Sequence, residues 1–531
     1  MMEKKQPINP ITKLDYPDAD VIRVEDTYYM VSTTMHFMPG CEILRSYDLI
    51  NWEHAAYLYD VLDSTPGQCL EGEENIYGRG MWAATLRYHK GEFYVIFVAN
   101  DTHKTYLFTA PSVEGPWKKK EIEGFYHDCS LLFDEDEKVY LVYGNRHIWL
   151  TEMKEDLSGP KEGGLHRMIV SDEGNPSLGY EGAHFYKING KYYVFFIHSL
   201  RTEWKRVEAC FMADSLEGEF VGGDVLNDDC GYCNAGTAQG GIVDTPEGEW
   251  YAILFQDRGA VGRVPVLLPI HWERDYPVFG VDGKVPQEFE TKSTRPEYSY
   301  TELVQSDDFK GGVWPFESPK ATLRTTKDVH YDSFGFKSIW QFNHEPDLSL
   351  VERDLEAGTV QMITDKLCAN VTQAKNVLTQ RMLFPSCGGS ITVDGSQLME
   401  GDYAGLCAFQ GKYVQVALTR EQEQLYVVLM TKGEECNTSM GKTKDTQPAV
   451  LLEKIAVSST KVRFKIEVDF DHMKDEAYVS YEAGEGWKQI GAAQKLYFRL
   501  DHFTGCRFGL FIYATQKMGG RVTFSEFVYD K

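Results

Sequence analysis

The chain has 531 residues with 80 acidic and 54 basic side chains, a formal charge of −26. That balance excludes the clustered Lys and Arg by which proteins hold nucleic acid or anionic membrane surfaces. The length exceeds one ordinary core, so two domains are expected.

Hydrophobic residues make up 43% and aromatic residues 13%, a globular mixture. No apolar run approaches the ~18 residues that cross a bilayer. The first residues, Met1-Met-Glu-Lys-Lys-Gln-Pro7, lack the apolar stretch of a signal peptide, which predicts a cytoplasmic chain.

Strand signals fill the first half, and one of them recurs. A Gly or acidic turn is followed by an aromatic residue or two and an alternating apolar run, as in Asp26-Thr-Tyr-Tyr29, Gly91-Glu-Phe-Tyr94, Glu137-Lys-Val-Tyr140, Gly190-Lys-Tyr-Tyr193 and Gly248-Glu-Trp-Tyr251. The tyrosines are 65, 46, 53 and 58 residues apart, room for about four short antiparallel strands per unit. Related segments after several copies, Asp48-Leu-Ile-Asn-Trp52, Ser112-Val-Glu-Gly-Pro-Trp117 and Ser215-Leu-Glu-Gly-Glu-Phe220, support the same division. Unequal spacing speaks against a solenoid, and the lack of long helical periodicity against an α/β barrel. The prediction is an all-β chain that begins with a five-bladed β-propeller.

Equivalent positions in propeller blades face one axis. Twelve residues before Tyr94, Tyr140, Tyr193 and Tyr251 stand Trp82, Asp128, Glu181 and Gln239, and eleven before Tyr29, in a hairpin one residue shorter, stands Asp18. Three carboxylates therefore share one register. Like charges that converge raise the pKa of at least one member, which supplies a protonated acid beside an ionised base. Glycoside hydrolysis requires that division of labour. Taken singly, each acid reads first as a turn or cap residue, and taken together they also read as ligands of a structural calcium. The shared register favours the axis.

The flanking Asp15 and Asp20 fall outside that register, and Asp134, Glu135 and Asp136 are expected at a solvated hairpin tip. His36 and Phe37, in Met35-His-Phe-Met-Pro-Gly40, fit a pocket wall and core packing equally well. Eleven cysteines contain a single Cys-x-x-Cys pair, Cys230 and Cys233, with no second pair or histidines nearby. Structural burial is expected of them rather than metal binding or redox chemistry.

Asn9-Pro-Ile, Asp15-Tyr-Pro-Asp18, Met35-His-Phe-Met-Pro-Gly40, Ser46-Tyr-Asp-Leu-Ile-Asn-Trp52, Trp82-Ala-Ala-Thr-Leu-Arg-Tyr88, Asp128-Cys-Ser-Leu-Leu-Phe133 and Glu181-Gly-Ala-His-Phe-Tyr186 together resemble glycoside hydrolase family 43. The resemblance implies a five-bladed propeller enzyme that acts with inversion, of the β-xylosidase, α-L-arabinofuranosidase or arabinanase type. It implies Asp18 as general base, Asp128 as pKa modulator and Glu181 as general acid, with Arg263 reaching the sugar pocket. Trp82, His36, Phe37 and Gln239 are the other expected substrate contacts. One segment departs from the family pattern, since Thr237-Ala238-Gln239-Gly240-Gly241 carries Ala238 where a histidine often stands, linked to a central calcium or to orienting the site. No cofactor is then required, and a structural calcium stays open.

A texture rich in Ser, Pro and charge over residues 293 to 310 reads as a linker, which divides the chain into a propeller at 1–300 and a second domain at 301–531. Tyr413-Val-Gln-Val-Ala-Leu, Leu425-Tyr-Val-Val-Leu-Met and Val462-Arg-Phe-Lys-Ile-Glu-Val have the alternation of a β-sandwich. Ser306-Asp-Asp-Phe309, Trp340-Gln-Phe-Asn-His-Glu-Pro346 and Ala374-Lys-Asn-Val-Leu-Thr-Gln-Arg381 resemble the concanavalin-like domain attached to a subset of that family. The resemblance implies that Phe503 reaches the pocket rim, a position that core packing would also explain.

The reading that unites these features is an exo-glycosidase releasing terminal β-D-xylose or α-L-arabinofuranose from short plant oligosaccharides. Its rival is a sugar-binding, lectin-like propeller without catalysis. The partner expected in either case is a small oligosaccharide, not nucleic acid or membrane, and a homo-oligomer is left open.

Overall fold

A computed structural model describes residues 8–311, 333–433 and 445–531. Over the described residues the chain is built of β-strands with a few 3-10 turns, and no helix is long and apolar enough to cross a membrane. Five four-stranded antiparallel sheets succeed one another from Asp20 to Phe279. They are blades 1 to 5, and their innermost strands are Asp20–Val24, Met81–His89, Ser130–Phe133, Glu181–Ile188 and Gly240–Asp244. Each repeat tyrosine lies on the second strand and pairs with a residue of the first: Tyr29 with Ile22, Tyr94 with Arg87, Tyr140 with Leu132, Tyr193 with Tyr186 and Tyr251 with Val243. The turn residues ahead of each tyrosine close these hairpins, and the alternating apolar run that follows supplies the layers between blades.

A polar plug joins all five blades at the centre. Arg87 of blade 2 donates to Asp20 of blade 1 at 2.7 Å, to the carbonyl of Leu131 and the hydroxyl of Ser130 in blade 3 at 2.8 Å each, and to the carbonyl of Phe185 in blade 4 at 3.2 Å. His184 lies 3.1 Å from Asp20, and Gly241 of blade 5 donates to the carbonyl of Ala19. A side chain at Gly241 would collide with Asp20 and Tyr186. Burial alone would raise the Asp20 pKa, but Arg87 and His184 outweigh it and hold the carboxyl well below the usual range. Asp20 is therefore the fixed anion of the plug.

The second half is a sandwich of two eight-stranded sheets. Its boundary with the propeller is not clean, because Phe37–Met38 of the propeller pairs with Gln341–Asn343 and forms the edge of one sandwich sheet. Ile11, Tyr16 and Val261 share one apolar core with Leu378, Phe384 and Phe508. Asp15 fastens the seam, accepting from the backbone N–H of Arg263 and of Gly505 at 2.7 Å each. Among the described residues no strand lies between Phe279 and Gln341. This connection is strapped along blade 1, where Thr294 donates to the carbonyl of Tyr47 at 2.8 Å and Thr301 to Glu53 at 2.9 Å.

Two local expectations need correction. Asp134 is not solvated like its neighbours: it is buried, with Lys187 at 2.6 Å and Tyr192 donating at 2.5 Å, because the blade 4 hairpin folds over that tip. Cys233 is exposed and Cys230 half-buried, both as free thiols, because the segment runs in a surface loop after blade 4 rather than in a strand.

Candidate active site

A cavity of about 670 Å³ opens at one end of the propeller axis, and Asp18, Trp82, Asp128, Glu181 and Gln239 all line it. Each stands at or within two residues of the start of an inner strand. Local backbone turns them inward. Asp18 and Asp128 have φ of 55° and 48°, in the left-handed region that few non-glycine residues adopt, and a bulge follows Glu181 in its pairing with the next strand. Gly182, at φ 64°, packs so closely on Gln239 that a side chain there would overlap the amide.

Asp18 is held from two sides, accepting from Arg263 Nη1 at 2.8 Å and from the Thr33 hydroxyl at 2.7 Å. Arg263 is 3% exposed, lies over the Phe503 ring at 4.3 Å, and leaves Nε and Nη2 without partners. Trp82 Nε1 and Asn100 Nδ2 are also buried donors without partners on this cavity. Buried donors that face an open volume suit the hydroxyls of a sugar.

Asp128 accepts from the backbone N–H of Gly182 at 3.2 Å. Complete burial, with Glu181 and Asp18 as like charges nearby, raises its pKa to about 7 against the opposing pull of His127. His127 Nε2 lies 3.5 Å from Asp128 and 3.7 Å from Glu181. Burial disfavours its cation, but the carboxylates of Asp128, Glu181 and Asp18 prevail and raise its pKa to about 9. Asn145 donates its side-chain amide to Glu181 Oε2.

Donor atoms of His127, Asp128 and Glu181 lie within 4.8 Å of one another. One nitrogen and two carboxylates fall short of the six to eight oxygens that calcium takes. At the centre of the propeller the Arg87 guanidinium already supplies the positive charge. The residues present do not fit the structural calcium left open by the sequence.

Arg263 and Phe503 line the same cavity, Phe503 from the sandwich. His36 and Phe37 do not. His36 is fully buried, its ring centre 4.4 Å from Phe37, 4.8 Å from Tyr77, 5.0 Å from His344 and 5.6 Å from His502. Phe37 lies beneath the Arg507 guanidinium at 3.5 Å. The reason is the strand that Phe37 lends to the sandwich sheet, which turns this pair into the seam and leaves Met35 as the member that reaches the cavity. Of their two readings, core packing is the one the structure adopts.

The cavity also contains residues that the sequence reading passed over. Met35, Asn100, Asn145 and Asp257 line it, standing six, six, five and six residues after their repeat tyrosines. A signal for them existed, since in an antiparallel hairpin the end of the second strand lies beside the start of the first. The same alignment followed downstream would have found them. His127 was hidden as a neighbour of Asp128. Phe498, Arg499 and Leu500 come from the sandwich and have no local mark.

The family model for glycosyl hydrolases family 43 matches residues 7–277, and that for the beta xylosidase C-terminal concanavalin A-like domain matches 329–530. A beta-xylosidase of Formosa agariphila is 25% identical, covering 98% of this chain and 90% of the relative. A non-reducing end alpha-L-arabinofuranosidase of Bacteroides ovatus is 29% identical, covering 57% of this chain and 58% of the relative. Among solved structures, a bifunctional GH43-CE protein of Bacteroides eggerthii is 39% identical with a TM-score of 0.86. That match covers 99% of this chain, which spans 64% of the longer protein.

Proposed function

The chain belongs to glycosyl hydrolases family 43, and from that membership we propose an inverting exo-glycosidase that releases terminal β-D-xylose, α-L-arabinofuranose, or both, from short oligosaccharides. The observation that carries the proposal is the meeting of Asp18, Asp128 and Glu181 on one cavity that the sandwich walls on one side through Phe498 and Phe503. Relatives matched in sequence bear both activities in their names, beta-xylosidase and alpha-L-arabinofuranosidase, so both pentoses belong to the proposal.

Asp18 is the general base. Arg263 and Thr33 fix its two oxygens, which aims the remaining lone pairs at a water on the far face of the sugar. Arg263 also offers its unpartnered nitrogens to the sugar hydroxyls, so binding and activation of water share one side chain. Glu181 is the general acid, and its proton passes to the leaving oxygen as the glycosidic bond breaks, while Asp18 takes a proton from the attacking water. Asp128 holds the proton balance. In the open cavity burial favours the neutral form of Asp128, whereas a bound sugar strips water from Glu181 and favours protonation there. The pair therefore shares one proton, with His127 as the cation that keeps the cluster from taking up a second.

The experiment is a panel of p-nitrophenyl glycosides with proton NMR of the first-formed sugar. Release of xylose or arabinose with the inverted anomer is expected. A retained anomer would make Asp18 a nucleophile, and binding of pentosides without turnover would favour the lectin-like reading.

A further inference from the structure

We infer that Asn145 is a positioning residue for the general acid, holding Glu181 so that Oε2 is always the accepting oxygen and the transferable proton sits on Oε1. The inference rests on the assignment of Glu181 as proton donor and adds which oxygen carries the proton and what keeps it there.

One hydrogen bond and one nearby imidazole converge on the same oxygen. Asn145 Nδ2 bonds to Oε2, and His127 Nε2 approaches that same atom at 3.7 Å. A carboxylic acid that accepts on one oxygen keeps its proton on the other, where it meets the leaving group. Without such a fixed partner the carboxyl would rotate and present the wrong oxygen in part of its encounters.

The backbone on either side of Asn145 is tied down, while its side chain is exposed at the cavity. Asn145 ends the second strand of blade 3, Val139–Asn145. On one side the N–H of Gly144 donates to the carbonyl of His127 at 2.9 Å, and on the other the N–H of Arg146 donates to the carbonyl of Tyr180 at 2.8 Å. His127 and Tyr180 directly precede Asp128 and Glu181. The backbone at 144–146 thus ties together the segments bearing both acids, with the Asn145 amide at the middle of the tie. Gly144 makes the path available: its φ is 136°, and a Cβ there would lie 2.2 Å from the carbonyl oxygen of His147.

The charged and titratable groups that share the cavity with Glu181 are His127 and Asp128 from blade 3, Asp18 from blade 1, Arg206 from blade 4, Arg263 and Asp257 from blade 5, and Arg499 from the sandwich. Asn145 carries no charge. Its removal therefore acts on Glu181 through the hydrogen bond alone, which gives the test a definite sign. A donor to the carboxylate stabilises the ionised form, so its loss raises the pKa.

Asn145→Ala is expected to move the alkaline limb of kcat/KM upward by about one pH unit. It should also lower kcat on unactivated xylosides or arabinosides about tenfold more than on p-nitrophenyl glycosides, where little protonation is needed. Asn145→Gln, which keeps an amide donor, should return part of the limb. A limb that does not move overturns the inference, and so does one that moves downward, since that would mean the amide oxygen accepts from a protonated Glu181. If Asn145→Ala unfolds before assay, Asn145→Ser gives the same decision, because its shorter side chain cannot reach Oε2. Failure of the acid assignment itself is read separately, from Glu181→Ala losing equal activity on both substrate classes in an otherwise unaltered chain.

Discussion

The cavity and the seam between the domains each contain a buried arginine paired to a carboxylate at 2.8 Å, Arg263 with Asp18 and Arg381 with Glu42. What lies beyond the pairs differs. At the seam, Arg381 stacks on Tyr16 at 4.1 Å, His54 lies 2.9 Å from Glu42, and Phe37 and Arg507 close the space. At the cavity, Arg263 and Asp18 border open volume. Charge balance differs as well. Burial pushes the Glu42 pKa up but Arg381 and His54 bring it below the usual range, whereas Asp128, buried among like charges, rises to about 7. A buried carboxylate matched by cations thus serves as a fastener, and one buried among carboxylates becomes a proton store.

If that contrast is right, the largest effect belongs to the base. Asp18→Asn should lower kcat/KM by about 10²- to 10⁴-fold on natural and activated substrates alike, because no leaving group substitutes for activation of water. Stopped assays on an oligosaccharide and on an aryl glycoside check it, and recovery on the aryl glycoside would refute the role. Glu181→Ala comes next, with a similar loss on natural linkages and a smaller one on the aryl glycoside. Equal losses would remove Glu181 from the acid role.

The seam should respond in the opposite way. Glu42→Gln leaves Arg381 buried without its charge partner and is expected to destabilise the fold by about 3 to 5 kcal/mol while leaving kcat of the folded enzyme unchanged. Urea unfolding monitored beside activity decides this, and an activity loss without a stability loss would erase the distinction between the regions. Because the Glu42 pKa is depressed on folding, its contribution is present above the ordinary carboxylate range and is lost as pH falls through the folded value.

The smallest effect sharpens the contrast most. Asp128→Asn removes a negative charge beside Glu181, so the alkaline limb of kcat/KM should shift downward and turnover should fall. The folded pKa of Asp128 is raised from 3.8 to about 7, so the folded state binds the proton more tightly and this group's stabilising contribution fades as pH rises between those values. The melting temperature of Asp128→Asn relative to the parent should therefore improve over the same window. A uniform drop in melting temperature with an unmoved limb would make Asp128 a structural residue like Glu42.

The five blades were legible because a blade is a local object: a turn, a tyrosine and an alternating run recur within some 65 residues, and hairpin geometry fixes which residue starts the inner strand. That is why one count back from the tyrosines reached Asp18, Trp82, Asp128, Glu181 and Gln239, all of which border the cavity. The same count forward would have reached Asn100 and Asn145. His36 and Phe37 were ambiguous for a physical reason, since an aromatic residue beside a histidine is equally suited to a sugar and to a core. Their fate was decided by the strand pairing of Phe37–Met38 with a segment about 300 residues away.

By itself the sequence determined the all-β architecture, the blade number, the register of the three acids and the family, since each depends on spacing within one hairpin or on motifs contiguous in the chain. The tertiary structure alone decided which rings wall the cavity, that the sandwich supplies Phe498 and Phe503, that Asn145 bonds one oxygen of Glu181 with His127 3.7 Å from the same atom, and that burial among like charges favours the neutral form of Asp128. Desolvation and proximity are properties of the packed chain, summed over residues far apart in sequence, and no local pattern encodes them.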